Sequence, residues 1–164
     1  MKRKDLFQCL YLAFMLLIMA IIFAFSHQQG EISLKMSEKV AVSLQVEEPE
    51  NYEGVSKNVS TQPLFAGLSI RKYAHVILYA ILGISTFLVM KDCKQLWWQR
   101  LMFAILICLV YSCTDEWHQT FIPGREAKVK DLLIDAVGYT SSIAICWGIT
   151  QLMSVTKYKV KNNE

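Results

Sequence analysis

The sequence predicts an all-α membrane protein, a bundle of four transmembrane helices, and three observations support this prediction. First, the 164 residues are 54% apolar and only 19% charged, with a positive mean hydropathy of +0.31. A chain so short and so apolar has no means of burying its apolar surface in one soluble core. Second, four long apolar segments follow one another within a single domain that covers residues 1–164. Third, Lys and Arg gather in particular segments between them, which predicts an orientation.

The predicted spans cover about residues 6–25, 73–90, 97–114 and 132–153. The first is an uncharged run of about 20 residues, and as a helix it extends roughly 30 Å, the thickness of the hydrocarbon core. A cleaved signal peptide is the alternative, because residues 2–4 are basic and residues 24–26 resemble a cleavage site. The run is longer than the apolar region of a usual signal peptide, which favours a retained span.

The other three spans contain residues with specific roles in a membrane. His75 lies one turn from the start of the second span. Trp97 and Trp98 open the third span and are typical of anchors at a membrane interface. The fourth span contains Gly138 and Ser142, two small residues four positions apart that allow another helix to approach closely.

The distribution of basic residues predicts the orientation of the bundle. The N-terminal tail, the loop between the second and third spans, and the C-terminal tail are basic and nearly free of acids. Their basic residues are Lys2, Arg3, Lys4, Lys91, Lys94, Arg100, Lys157, Lys159 and Lys161. Such segments stay on the cytoplasmic side, so both termini are expected in the cytoplasm. The long loop 26–72 and the short loop 115–131 then face outward.

The long outer loop carries charges of both signs, as expected of an exported surface. Met36, Val40 and Leu44 recur every fourth residue, which is typical of a short amphipathic helix lying on the membrane. The alternation of Val40, Val42, Leu44 and Val46 fits a strand equally well. Both interpretations of this segment remain open.

Composition excludes several functional classes. Five Cys without a CxxC spacing indicate neither a disulfide scaffold nor a zinc ribbon. The net charge of +3 is small and does not gather on one element as it does in nucleic-acid binders. We therefore expect no nucleic-acid partner, and no motif predicts a cofactor.

A polar cluster is predicted where the third span ends and the fourth begins. If the third helix continues past residue 114, Asp115, His118 and Gln119 share one of its faces at i, i+3 and i+4. Residues 123–124 are Pro-Gly and predict a tight turn, which makes the third and fourth helices antiparallel neighbours. Asp131 and Asp135 then share a face of the fourth helix, four residues apart.

Basic residues reach the same place from the start of the second span. Lys72, His75 and Tyr79 lie at i, i+3 and i+7 and line a common stripe. A positive charge in the first turn opposes the helix dipole, so it calls for an acidic partner. The acids of the third and fourth helices are the predicted partners.

The order of these motifs resembles a known family. The motifs are residues 71–83, the Asp-Glu-Trp-His-Gln block at 115–119, the Pro-Gly-Arg at 123–125, and residues 131–138. Ser26 and Gln28 add a Ser-x-Gln after the first span. Together they resemble the VanZ-like family of small bacterial membrane proteins.

The resemblance implies a multi-pass protein of the bacterial cell membrane. The family is named for a member implicated in low-level resistance to the glycopeptide teicoplanin, so a role in sensitivity to such antibiotics is implied. Membrane lipids, and a lipid-linked envelope precursor or a glycopeptide, are the partners we expect. The resemblance implies no reaction and no oligomeric state.

Two interpretations of the polar cluster stay open: a network that joins helix ends, or a working site. Its candidate residues are Lys72, His75, Tyr79, Asp115, Glu116, His118, Gln119, Arg125, Asp131 and Asp135. In an envelope enzyme, His118 or Asp115 would act as general base, and Arg125 or Lys72 would hold an anionic head group. In the network, Arg125 would pair with Glu116 or Asp131.

Two further functions are weaker alternatives. A metal site would use His75, Asp115, His118 and Asp135, since imidazole and carboxylate suit zinc or manganese. Their spacing matches no standard metalloprotease motif. A proton-coupled transporter is disfavoured, because the acids lie near the predicted outer interface and transport sites favour the midplane of the membrane.

Overall fold

The computed structural model describes residues 3–27, 70–91, 93, 95–125 and 128–162, and these residues form four helices and no strand. The helices are α1 (Arg3–Ser26), α2 (Ile70–Lys91), α3 (Trp97–Gln119) and α4 (Val129–Asn162). Each is long and apolar enough to cross a membrane. The predicted all-α class with four spans is confirmed. The alternative helix or strand around Met36 to Val46 lies outside the described residues.

All four helices extend beyond their predicted apolar segments, α3 and α4 the furthest. α3 continues to Gln119 and therefore includes the polar residues from Thr114 onward. α4 continues to Asn162, well beyond the predicted end at residue 153. Hydropathy marks where a chain is apolar, whereas a helix continues as long as its backbone hydrogen bonds do.

α2 is the central element, since it contacts each of the other three helices and packs most extensively against α4. The core of the bundle includes six large side chains that are at most 2% exposed. They are Ile22, Tyr79, Leu82, Ile134, Tyr139 and Ile143. α1 is held to α3 by Tyr111, whose hydroxyl donates a 2.5 Å hydrogen bond to the carbonyl oxygen of Met19. The first span is thus an integral part of the bundle.

Two glycines allow α2 and α4 to approach closely. A Cβ added to Gly138 would lie 2.7 Å from the carbonyl oxygen of Val76, and one added to Gly83 would meet the backbone of Tyr139. The predicted close approach at Gly138 and Ser142 is confirmed, and the partner is α2. In a bilayer this contact brings backbones together and increases van der Waals packing between helices.

The outward faces of the helices are apolar along their length. Leu17, Ile77, Val110 and Ile149 are each more than half exposed. So much continuous apolar surface is unfavourable in water, whereas the hydrocarbon core of a membrane solvates it well. The polar residues instead concentrate where α1 and α3 end and where α2 and α4 begin, and we call this the polar end of the bundle.

Candidate functional site

Among the described residues, the polar end contains seven buried side chains that form hydrogen bonds to one another or to the backbone. They are Ser26, Ser112, Asp115, Glu116, Gln119, Arg125 and Asp135, each at most 9% exposed. Together with the neighbouring residues that they contact, we call them the polar cluster. A buried charged or polar side chain is stable only when it is paired or hydrogen-bonded. Each of these side chains forms at least one of the hydrogen bonds described below, and with the ion pair of Lys72 and Asp131 the contacts connect all four helices.

Asp115 is at the centre of the cluster. Its Oδ2 accepts a 2.8 Å hydrogen bond from the Ser26 hydroxyl and a 3.1 Å hydrogen bond from the Gln119 side-chain amide. Its Oδ1 is buried, and none of the described residues donates a hydrogen bond to it. The hydroxyl of Tyr79 is close enough for electrostatic interaction with this carboxylate. Asp115 thus joins the end of α1 to the end of α3.

Gln119 connects Asp115 to an arginine. Its Oε1 accepts a 3.2 Å hydrogen bond from Arg125, whose other terminal nitrogen donates a 3.0 Å hydrogen bond to the carbonyl oxygen of Phe25. Gly124 has φ of 75°, which confirms the predicted turn and directs the chain back toward the bundle. The guanidinium thereby supplies donors to a side chain of α3 and to the last turn of α1.

Glu116 and Asp135 attach α4 to this arrangement. Glu116 Oε2 accepts a 3.1 Å hydrogen bond from the backbone N–H of Lys128, just before α4 begins. An acid at a helix start satisfies a free N–H and interacts favourably with the helix dipole. Asp135 Oδ2 accepts a 3.2 Å hydrogen bond from the Ser112 hydroxyl. Both contacts bring α3 and α4 together at the polar end.

Lys72 forms the ion pair that the sequence predicts. Its Nζ lies 2.5 Å from Asp131 Oδ1, and both side chains are about four-fifths buried, with 22% and 19% exposed. This contact confirms that an acid of α4 compensates the positive charge in the first turn of α2. It also fixes the start of α2 against the start of α4.

A small cavity of about 20 Å³ lies beside this ion pair, which is room for about one water molecule. Its lining consists of Lys72, His75, Glu116, Gln119, Asp131, Ile134 and Asp135. The carboxyl groups of Glu116 and Asp135 therefore share with the ion pair of Lys72 and Asp131 a space that one water molecule would fill. A water there would have an acid or an imidazole as a proton acceptor and several further polar neighbours.

The two predicted histidines lie in different surroundings. His75 lines the cavity and stacks on Tyr79 with ring centroids 6.3 Å apart. His118 is half-buried and interacts with α1, where its Nε2 lies 3.3 Å from His27 Nδ1. Its ring stacks on Phe23 with centroids 4.6 Å apart. The cavity is lined by His75 and not by His118.

Of the ten candidate residues, six line the cavity: Lys72, His75, Glu116, Gln119, Asp131 and Asp135. Asp115, Arg125 and Tyr79 lie next to it through the hydrogen bonds and electrostatic contacts above. His118 lies apart, on the side of α1. The described contacts of Arg125 reach Gln119 and Phe25, whereas the sequence predicts Glu116 or Asp131.

Two residues of the cluster were not among the candidates. Ser26 is fully buried and donates to Asp115, and Ser112 is fully buried and donates to Asp135. Ser112 precedes Asp115 by three residues, so the helical period that selects Asp115 and Gln119 also selects it. Ser26 lies in the Ser-x-Gln motif, but the sequence gives no distance between that motif and Asp115.

The predicted metal site has little support from the geometry. Across the described parts of the chain, no group of three or more His, Cys, Asp or Glu side chains is placed to hold a metal ion. His118 faces His27 on α1, while His75 and Asp135 face the cavity. The side chains named for metal binding therefore do not converge on one point.

Comparison with known proteins identifies the family. No curated protein and no solved structure matches the chain. The model of the VanZ/LLP1 family matches residues 11–153, which include most of α1, all of α2 and α3, and the apolar part of α4. The matched region contains every residue of the polar cluster described above. With its four membrane-spanning helices, the chain is a multi-pass membrane protein and belongs to the VanZ/LLP1 family.

Proposed function

We propose that this protein resides in the bacterial cell membrane and alters the sensitivity of the envelope to glycopeptide antibiotics of the teicoplanin type, without catalysing a reaction. The family match over residues 11–153 carries the proposal. The family takes its name from a member implicated in low-level teicoplanin resistance, and the present chain contains the motifs of the family in order.

The geometry of the polar cluster supports a role without catalysis. Its buried groups bind one another, as in the contacts from Asp115 to Ser26 and from Gln119 to Arg125. Among the described residues, the space between them holds about 20 Å³, far less than the 300 Å³ or more of a typical small-molecule site. Such a cluster holds helix ends in a fixed arrangement and thereby shapes the surface above them.

The predicted orientation supports the same proposal. The basic residues of both tails and of the loop between α2 and α3 predict that those parts are cytoplasmic. The polar cluster lies at the other end of the helices and therefore faces outward, where glycopeptides bind their targets. Cysteines introduced as Ser60→Cys and Ser154→Cys test this directly in a chain without native cysteines. A membrane-impermeant thiol reagent should label the first from outside the cell and leave the second unlabelled.

The decisive experiment measures antibiotic sensitivity in a Gram-positive host that expresses the protein. Expression is expected to raise the minimum inhibitory concentration of teicoplanin, and Asp115→Asn should abolish the increase because it removes the central carboxylate. Thr114→Ala is the matched control, since Thr114 is exposed and its hydroxyl binds only its own helix in the described chain. His118→Ala tests the histidine contact in the same way.

Immunoblots of membrane fractions must show equal amounts of all variants. An unchanged inhibitory concentration on expression of the native chain, across teicoplanin and related cell-wall antibiotics, would refute the proposal. Full activity of both Asp115→Asn and His118→Ala would instead show that the protein acts through another surface.

One observation favours a second function, a membrane enzyme acting on a lipid-linked or phosphorylated envelope intermediate. The water-sized cavity is lined by His75, Glu116 and Asp135, which are candidate proton acceptors, and by the ammonium group of Lys72. A general base beside a water and a cation beside an anionic head group are the elements of hydrolytic catalysis. His118, which the sequence offered as the base, lies outside this cavity.

Purified protein distinguishes the two functions. If it is an enzyme, it should convert a polyprenyl-linked phosphate or diphosphate, and Asp135→Asn should stop the conversion while Ser154→Ala does not. The Ser154 hydroxyl is exposed and bonds to its own helix, far from the cavity. No conversion across a panel of such substrates, in protein that still changes teicoplanin sensitivity in cells, would exclude the enzyme.

A further inference from the structure

A cavity much larger than the one at the polar cluster lies at the opposite end of the bundle. It measures about 310 Å³ and lies among α2, α3 and α4, and we call it the tryptophan cavity. Its lining includes Trp97 and Trp147, whose rings stack with centroids 5.7 Å apart. Its volume falls within the range of small-molecule sites, and neither the polar cluster nor the family match assigns it a ligand.

The cavity combines two cations with apolar walls. Lys91 and Arg100 line it at the end of α2 and the start of α3, and Phe87 and Leu101 line it as well. Phe87 lies one turn before Lys91 on α2, so about 6 Å separates the backbone positions of the two residues along the helix axis. The charged part of the cavity at the membrane surface matches the head group of a phospholipid, and the apolar wall toward the membrane centre matches its acyl chains.

Arg100 is held in place and still has donors to offer. Its Nε donates to the carbonyl oxygen of Gln95 at 2.9 Å, and one terminal nitrogen donates to that of Lys91 at 2.8 Å. Within the described residues these two bonds use two of its five N–H donors. A guanidinium fixed in this way is preorganised to bind a phosphate with its remaining donors.

The stacked tryptophans provide the second, independent observation. The indole Nε1 of Trp147 is buried and has no hydrogen-bond acceptor among the described residues. A buried indole N–H normally finds an acceptor. Because this nitrogen has no exposed surface, an oxygen of a ligand in the cavity would accept its hydrogen bond after a small shift of the Trp147 ring. Trp97 lines the cavity and is 57% exposed, so the cavity reaches the outer surface of the bundle that the bilayer contacts.

The position along the bundle fits a membrane surface. Arg100 and Asp115 are 15 residues apart on α3, which is about 22 Å along the helix axis. The tryptophan cavity and the polar cluster therefore lie near opposite boundaries of a hydrocarbon layer about 30 Å thick. By the positive-inside prediction, the tryptophan cavity faces the cytoplasmic leaflet.

We propose that the tryptophan cavity binds an anionic phospholipid, with its phosphate at Lys91 and Arg100 and its acyl chains along Phe87 and Leu101. Anionic lipids meet basic pockets between transmembrane helices in this way, with each cation near the surface contributing about 1 kcal/mol, or about fivefold in affinity. The binding is independent of the polar cluster and of its proposed function.

The test measures lipid binding to the full chain purified in detergent, by native mass spectrometry. Phosphatidylglycerol and phosphatidylcholine with identical acyl chains are titrated separately. The native chain should retain phosphatidylglycerol preferentially, and Lys91→Gln and Arg100→Gln should each weaken that binding about fivefold. Trp147→Phe, which removes the indole N–H and keeps a ring, should weaken it without changing the charge.

Matched controls lie outside the cavity. Lys130→Gln removes an exposed cation at the polar end, and Trp98→Phe alters an exposed tryptophan beside Trp97; neither residue lines the cavity. Lys91 is exposed, and its side chain makes no hydrogen bond or ion pair within the described residues. Lys91→Gln should therefore leave the fold intact, and it tests the proposal even if Arg100→Gln perturbs the loop between α2 and α3.

Two results would overturn the proposal. One is equal retention of both lipids by the native chain; the other is an equal loss of binding in Lys130→Gln and Lys91→Gln. Displacement of the lipid by soluble glycerol phosphate at the same concentration would also overturn it, because the acyl chains would then contribute nothing.

Discussion

The hydrogen bond between Ser26 and Asp115 provides the most direct test of how the polar end is stabilised. Ser26 is fully buried at the end of α1, and its hydroxyl donates to Asp115 Oδ2 at 2.8 Å. The same hydroxyl accepts a longer, 3.4 Å hydrogen bond from Gln119. Ser26→Ala removes both contacts while changing the side-chain volume very little, so it isolates the polar interaction.

The expected loss follows from these two contacts. Hydrogen bonds between membrane helices contribute about 0.6 kcal/mol on average and up to about 1.7 kcal/mol. A bond to a charged acceptor lies toward the upper end, at about 1.5 to 3 kcal/mol in water-soluble proteins. Ser26→Ala should therefore lower the free energy of unfolding by about 1 to 2 kcal/mol. Of this, we expect about 1 kcal/mol to be specific coupling to Asp115.

A double-mutant cycle measures that coupling. The native chain, Ser26→Ala, Asp115→Ala and the double variant are unfolded in mixed micelles by increasing SDS and followed by circular dichroism at helical wavelengths. Ser154→Ala is the matched control, because its hydroxyl is exposed and binds its own helix; it should change the stability by less than about 0.5 kcal/mol.

A coupling below about 0.3 kcal/mol would mean that Ser26 and Asp115 act independently. Equal effects of Ser26→Ala and Ser154→Ala would likewise refute a stabilising contact between α1 and α3 at this point.

Three further predictions use the same unfolding measurement. Gly138→Ala should destabilise by about 1 to 3 kcal/mol, since its Cβ would lie 2.7 Å from a backbone oxygen of α2. A Cβ added to Gly148 would have no neighbouring atom within 4 Å, so Gly148→Ala should be neutral or stabilising. Equal effects of the two substitutions would contradict the close packing of α2 against α4 at Gly138. Gly124→Ala should cost about 1 to 2 kcal/mol because φ there is 75°; an unchanged stability would refute this. Lys72→Asp and Asp131→Lys should each lower the free energy of unfolding, and the variant that exchanges both residues should recover much of the loss. No recovery in the double variant would mean that the ion pair does not stabilise the protein.

The helices and several contacts of the polar end follow from local patterns. The sequence places Asp115 and Gln119 on one face only if α3 continues through Gln119. In the structure α3 does continue to Gln119, and the two side chains are hydrogen-bonded. The Pro-Gly turn and the pairing of Lys72 with Asp131 follow from backbone preference and from the helix dipole. Each depends on residues close in sequence or on one charge that needs an opposite partner.

Contacts between distant segments were less accessible to sequence reasoning. The sequence predicts a common face for Asp115 and His118, yet Asp115 is buried in the cluster while His118 packs on Phe23 and His27. A helical period of 3.6 residues places side chains three positions apart within about 60° of each other, which is not fine enough to assign two neighbours to different partners. The choice depends on where α1 lies.

The sequence by itself determined the number of helices, their approximate extent and the family, because apolar length, charge distribution and motif order are properties of the chain read along its length. Only the tertiary structure decided which polar groups meet. The rotation of each helix about its axis and the 2.7 Å approach at Gly138 set distances across the bundle. Hydrogen bonds change from favourable to absent within about half an ångström. For that reason the partners of Ser26 and Arg125, and the cavity between Trp97 and Trp147, emerge only when the helices are packed together.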